Sequence, residues 1–286
     1  MPTSRVPASR YAGAIALFVA GGISQYLGAA VAVGVFHHVP AIAVSWWRIL
    51  FAALVLLAWR RPWRTDRSWW RAAALFGLAL AAMNTTFYLA IHHIPLGTAV
   101  ALEFIGPIAV AALTGRGWAQ RTAIVAAGVG VVVIGGLGLD WGEPGTALGL
   151  AAALAAGGFW GLYVALGSRL AHRTNGMDAL AVGMTAGAIA FLPLAFLTPL
   201  PAFTSPGVMG SMLLVALLSS VVPYAVDQVN FGALPPATFA ILLALLPATS
   251  LVVGALLLQH FPNAFEVLGL GLISVAVLLA NLPAGG

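Results

Sequence analysis

The stretch Ile94-Pro95-Leu96-Gly97-Thr98 recurs 140 residues later as Leu234-Pro235-Pro236-Ala237-Thr238. The register holds beyond it: Leu102 lies over Leu242, and Pro107 over Pro247. One residue out of step, Gly128-Val129-Gly130 lies over Gly269-Leu270-Gly271. Alanine and leucine match easily between any two apolar helices. Two prolines, a threonine and a spaced glycine pair do not. The chain is therefore read as two related halves, 1–143 and 144–286.

The composition says what these halves sit in. Of 286 residues, 62% are hydrophobic and 7% are charged. A soluble domain carries roughly 25% charged residues. So few charges cannot cover a soluble surface, and a mean hydropathy of +1.03 makes lipid the solvent. A water-soluble enzyme is excluded. A membrane helix needs about 20 apolar residues, and the chain falls into apolar runs of about that length between polar or Pro/Gly breaks. They give ten candidate spans: 12–35, 41–59, 71–91, 98–114, 122–138, 146–168, 179–198, 208–231, 238–257 and 264–282. That is five per half. An odd number turns the second half upside down, so the expected fold is all-α and integral to the membrane: ten transmembrane helices as two inverted five-helix repeats. Inverted repeats are a hallmark of secondary transporters. The first span is longer than a signal-peptide core and completes the repeat, so it is read as retained.

The arginines orient the bundle. Arg5 and Arg10 precede span 1; Arg60, Arg61, Arg64, Arg67 and Arg71 follow span 2. Arg116 and Arg121 follow span 4; Arg169 and Arg173 follow span 6. All fall on one side, and the loop after span 5 on the other side carries Asp140 and Glu143. Basic loops stay in the cytoplasm. Both termini are thus expected inside the cytoplasmic membrane, and the basic balance is a topology signal rather than a nucleic-acid patch.

There is no cysteine, which excludes thiol catalysis and thiolate metal sites. His37, His38, His92, His93 and His260 fall in outer turns and read as solvated residues, not as a metal site. No P-loop, His-Glu-x-x-His or Gly-x-Ser-x-Gly occurs. No cofactor is expected.

Proline-interrupted spans at matching positions in two halves point to a transport site. Pro107 and Pro247 hold such positions, and Pro223 interrupts span 8. Each deprives the carbonyl four residues earlier of its donor: Glu103, Leu243 and Ser219 respectively. Gly157 with Gly161, and Gly183 with Gly187, have the four-residue spacing of close helix contacts.

Ionisable groups at membrane depth suggest function by default. Arg48 lies about 10 Å below the outer end of its span and Glu103 about 8 Å below its own, at 1.5 Å per residue. Two readings stand side by side. The pair forms a static ion pair, or Arg48 grips a substrate carboxylate while Glu103 carries a coupling proton. Asp227, near the inner end of span 8, is either interfacial or lines an inner vestibule and shares the proton. Asn84, Tyr88, Trp160, Tyr163 and Tyr224 are candidate cavity residues. Trp69 and Trp70 read as interfacial anchors.

At this point a resemblance is legible. The run Pro95-Leu96-Gly97-Thr98-Ala99-Val100-Ala101-Leu102-Glu103-Phe104-Ile105-Gly106-Pro107 resembles the threonine/homoserine exporters of the EamA-type drug/metabolite transporter superfamily. Met83-Asn84, Phe87-Tyr88-Leu89, Arg48, Trp160, Tyr163, Pro223-Tyr224 and Asp227 also fit. The resemblance implies export of small metabolites, often amino acids, from a central cavity by alternating access against a proton gradient. It also marks departures. The family's Glu-Pro in span 9 is Leu246-Pro247 here, and its Gly-Glu after that span is Gln259-His260. The alternatives are an uncoupled facilitator and an exporter of drugs or lipophilic cations, with tryptophan and tyrosine supplying cation–π contacts. The expected partners are a small-molecule substrate, protons and the lipid bilayer. A homodimer is among the expected assemblies, although no interface is legible.

Overall fold

The computed structural model describes residues 8–64, 67–114, 118–170, 174–230 and 236–280. Side chains of residues 8–12, 14, 111–114, 120, 168, 227–230 and 236–245 are outside that description. Arg5, Arg116, Arg173, Leu234 and Pro235 therefore lie outside the described residues, as do the side chains of Arg10, Asp227, Thr238 and Leu242.

The described chain is all helix. In order, the segments are α1 (Ala8–Val35), α2 (Ala41–Arg60), α3 (Trp70–His93), α4 (Leu96–Glu103), α5 (Ile105–Thr114), α6 (Trp118–Val133), α7 (Thr146–Leu170), α8 (Gly176–Ala190), α9 (Leu200–Phe203), α10 (Pro206–Ala216), α11 (Val222–Asn230), α12 (Pro236–Leu257) and α13 (Ala264–Ala280). Wide π-type turns extend α6 through Ile134–Gly138 and join α10 to α11 through Leu217–Val221. Among the described residues six helical runs are long and apolar enough to cross a membrane, and Leu96–Val110, Gly176–Ala190, Leu246–Leu257 and Ala264–Ala280 are shorter apolar helices. Large apolar side chains such as Val125, Val132, Ile189 and Leu256 are exposed on the outside. In water so much exposed apolar surface is a liability; in lipid it is the solvated face.

Helix starts follow from side chains that satisfy free N–H groups. Asn175 accepts from the N–H of Met177 at 2.9 Å, and Ser205 from that of Val208 at 3.4 Å. Asn263 and Glu266 form a reciprocal capping box at the start of α13: Asn263 Oδ1 accepts from Glu266 N and Glu266 Oε2 from Asn263 N, each at 2.9 Å.

The helices pack through glycine. A Cβ on Gly77 would run into the backbone of Gly183, and one on Gly106 into the carbonyl of Gly157. The spaced pairs Gly157/Gly161 and Gly183/Gly187 thus mark real crossings, of α7 with α5 and of α8 with α3. Side chains of any size at these points would hold the backbones apart and weaken the dispersion contacts that drive association in lipid. Gly130 and Gly269 meet reciprocally: a Cβ on either would lie 2.9 or 2.8 Å from the carbonyl of the other.

At one end of the bundle, Arg60 donates to Asp178 at 2.8 Å, tying the end of α2 to the first turn of α8. Trp69 departs from its expected place. It is buried at 3% exposure, in a core cluster with Leu56 and Leu180, because the α2–α3 connection folds it back onto the bundle. Trp70 is half-buried, with the Arg67 guanidinium 5.1 Å from its ring centre.

Candidate functional site

The breaks in two helices shape the site. Pro223 has no N–H. In the wide turn before it, neither Leu218, five residues back, nor Ser219, four back, receives a donor from that position. In a lipid-surrounded core such carbonyls must find other donors. Ser24 Oγ on α1 donates to the carbonyl of Leu218 at 2.8 Å. Arg48 Nη2 donates to that of Ser219 at 2.6 Å, and Arg48 Nε to Ser220 Oγ at 2.8 Å. Ser219 Oγ in turn donates to the carbonyl of Gln25 at 2.9 Å. A proline on α11 therefore fixes the aim of an arginine on α2.

The second break lies between α4 and α5, at Phe104. Pro107 leaves the Glu103 carbonyl without its helical donor, and this carbonyl faces Gly157, where an added Cβ would stand 2.8 Å away. Only a glycine lets α7 come this close. Pro247 behaves differently: α12 runs on through it without interruption.

These elements surround a cavity of about 380 Å³, within the roughly 300–1,000 Å³ usual for small-molecule sites. Arg48, Asn84, Glu103, Trp160, Tyr163 and Tyr224 all line it, with Pro107 and Pro223. Tyr88 does not. It is fully buried behind the wall, and the Arg48 guanidinium lies 5.4 Å from its ring centre, in cation–π range. Asp227, on α11, has its side chain outside the described residues.

Arg48 and Glu103 do not form the static ion pair that was one of two expectations. Arg48 is held by serines, and the Glu103 carboxylate makes no hydrogen bond or salt bridge among the described residues. Both are at most 8% exposed, and both face the cavity. Among the described residues two of the five guanidinium N–H groups are engaged in hydrogen bonds. The rest of the wall is mostly apolar, and a third of it is aromatic. Phe104 meets Trp160 edge to face at 4.7 Å, and Phe76 stacks behind Tyr163 at 4.6 Å. The result is a largely apolar chamber with a guanidinium and a carboxyl group in its wall, fit for a small amphiphile.

Sequence reasoning passed over Gln25 and Tyr26, which bring α1 into the cavity wall. Their signal was present: Ser24-Gln25-Tyr26 is a polar run inside an otherwise apolar helix. Glu266 was also missed. It is buried, and besides its capping role it accepts from Thr98 Oγ1 at 2.6 Å, joining the starts of α4 and α13; His260 Nε2 lies 3.4 Å away. Among the described residues the second half thus keeps two buried acids, Asp178 and Glu266, and the Asn-x-x-Glu spacing of the latter was legible. Among the described residues no cluster of three metal-ligating side chains occurs.

An all-helical apolar bundle around a cavity with a few polar groups in its wall is the architecture of a multi-pass membrane protein. Comparison with known proteins makes it a transporter and not an enzyme. Residues 147–282 match the model of the EamA-like transporter family. The threonine/homoserine exporter RhtA of Escherichia coli K12 is 34% identical over 89% of this chain and 86% of its own. The exporter of the same name from Salmonella typhimurium SL1344 matches with the same identity and coverage. A crystal structure at 16% identity superposes with a TM-score of 0.64, covering 94% of this chain and 96% of the other; it speaks to the fold alone. The chain belongs to the EamA-like transporter family.

Proposed function

We propose that this protein exports small amino acids of the threonine and homoserine type across the cytoplasmic membrane, by alternating access coupled to protons. The observation that carries this is the presence, in one chamber, of an oriented guanidinium and a carboxyl group that makes no ion pair among the described residues. Arg48, its fork set by Ser219 and Ser220, takes the substrate carboxylate. Glu103 takes the ammonium group or a proton, but not both, and such competition is a simple basis for exchange of substrate against protons. Asn84, Trp160, Tyr163 and Tyr224 close around the side chain, Tyr88 backs Arg48, and Asp227 relays the proton toward the inner face. The naming of the E. coli and Salmonella relatives supports the substrate class.

The working architecture is ten membrane helices in two inverted halves, 1–143 and 144–286, with both termini in the cytoplasm. The packing supports it. In this reading α1 corresponds to α7 and α3 to the α10–α11 helix. α1 packs on α10–α11 as α7 packs on α3, and α1 packs on α12 as α7 packs on α4–α5. The reciprocal Gly130–Gly269 contact lies where the pseudo-twofold brings α6 onto α13. Two similar halves able to exchange conformations yield states open to either side.

The aromatic wall favours a second reading, export of lipophilic cations, with Glu103 as counter-ion. Counterflow of labelled threonine and homoserine in proteoliposomes, with and without a pH gradient, decides. Saturable flux that accelerates with the gradient is the expected result. Saturable flux indifferent to the gradient makes the protein a facilitator, and absence of amino-acid flux from folded protein favours the cation reading.

A further inference from the structure

The chamber accounts for the two charged ends of an amino acid, and Asn84 addresses what lies between them. This side chain is 1% exposed and belongs to the cavity wall. Its Nδ2 donates to the carbonyl of Leu80, one turn back on α3, at 2.8 Å. That bond sets the amide: the nitrogen is turned to its own helix and the oxygen away from it. Among the described residues the hydrogen bond that Asn84 makes is this donation, and none is seen to Oδ1. One turn further along α3, on the same face, stands Tyr88, which carries the Arg48 guanidinium over its ring. Asn84 therefore lies four residues, about 6 Å of helix rise, along α3 from the residue that flanks the carboxylate-binding group.

We infer that Asn84 Oδ1 accepts a hydrogen bond from the hydroxyl of the substrate and so makes the site select β- and γ-hydroxy amino acids over isosteres without that O–H. This rests on the amino-acid reading above. With its carboxylate on Arg48, an amino acid carries its β- or γ-hydroxyl one to two carbons beyond Cα, within the reach of a single helical turn. An acceptor is what such a hydroxyl needs, since the ammonium and guanidinium groups around it only donate. The discrimination comes as much from exclusion as from attraction. An apolar side chain in the same place leaves a buried carbonyl oxygen without a partner, and an unmade buried hydrogen bond costs more than a made one gains. Sites built to bond a substrate hydroxyl reject the analogue lacking it more strongly than size alone allows.

The test is competition counterflow in proteoliposomes. Threonine is set against valine, its near-isostere, and homoserine against O-methylhomoserine, which keeps the oxygen but not the donor. The wild-type protein is expected to prefer each hydroxy amino acid on the order of tenfold, the worth of one neutral hydrogen bond. Asn84→Leu should bring both ratios close to one, and Asn84→Ala, read for the same ratios, decides where the leucine variant does not fold. Ratios that stay at the wild-type value in an active variant overturn the assignment while leaving amino-acid export standing. So does wild-type protein that takes O-methylhomoserine as well as homoserine. Wild-type protein that carries none of the four refutes the amino-acid reading itself, and the role of Asn84 falls with it.

Discussion

Replacing Arg48 by lysine keeps the charge and removes the fork. In the structure the guanidinium spends Nε on Ser220 Oγ at 2.8 Å and Nη2 on the Ser219 carbonyl at 2.6 Å. Its plane also lies by the Tyr88 ring. These three contacts fix where the remaining N–H groups point. A lysine ammonium is a single point with three rotating donors. It can satisfy the carbonyl that Pro223 leaves bare, or meet a substrate carboxylate, but it cannot span both while presenting a planar pair. At least one charged hydrogen bond is lost, worth about 1.5–3 kcal/mol. At about 1.4 kcal/mol per factor of ten, that is roughly a 10- to 150-fold weaker Kd for threonine. Binding of labelled threonine to purified protein in nanodiscs measures it, with thermal unfolding as the control for folding. Arg48→Met goes further, leaving the Ser219 carbonyl without a donor, so its Tm should fall where that of Arg48→Lys holds. If Arg48→Lys binds within twofold of wild type at an unchanged Tm, the guanidinium is structural and the carboxylate grip is wrong.

Glu103→Gln should retain threonine binding and counterflow but lose acceleration by a pH gradient; gradient-driven uptake at the wild-type rate would falsify its part in coupling. Gly77→Val places a side chain into the backbone of Gly183 and should lower the Tm, at an overpacking cost of about 1–3 kcal/mol. Gly210→Val, where a Cβ meets nothing within 4 Å, should leave the Tm in place, and equal melting of the two rejects the close α3–α8 crossing. Thr98→Val removes the 2.6 Å bond to Glu266 that joins α4 to α13. Since this contact lies at the end proposed to face outward, the variant should spend more time open on that side. The chain has no native cysteine, so a single one at Ala29 in the cavity wall reports the change: an impermeant maleimide added outside should label it faster in the Thr98→Val background, and an unchanged rate denies the contact any gating role.

Much of this molecule is written along the chain. The dearth of charge, the apolar run lengths and the all-helical fold follow from local composition, because in lipid every backbone group must be satisfied within its own segment and a helix does that without partners. Pro107 and Pro223 announced which carbonyls would be left bare, and the four-residue glycine pairs announced which faces would come close. The spacing of Asn263 and Glu266 announced a helix start. All of these are effects between residues a turn or so apart, which sequence records directly.

What fills a bare carbonyl is another matter. That Arg48 answers Ser219, 171 residues away in sequence, and makes no ion pair with Glu103 depends on how α2 meets the turn before α11. Depth alone allowed an Arg48–Glu103 pair equally well, because depth along a span says nothing of rotation around the bundle. Tyr88 lies behind the wall and Asn84 within it although both lie on one face of α3, because the surrounding helices leave room at one level of α3 and fill it at the next. The α2–α3 connection buries Trp69, where the sequence pointed to the membrane surface. Pro247 shows the converse: the residue promises a break, yet α12 continues through it. Local chemistry determined which groups need partners; only the packing of helices far apart in sequence decided which partners they have, and so which charges remain for a substrate.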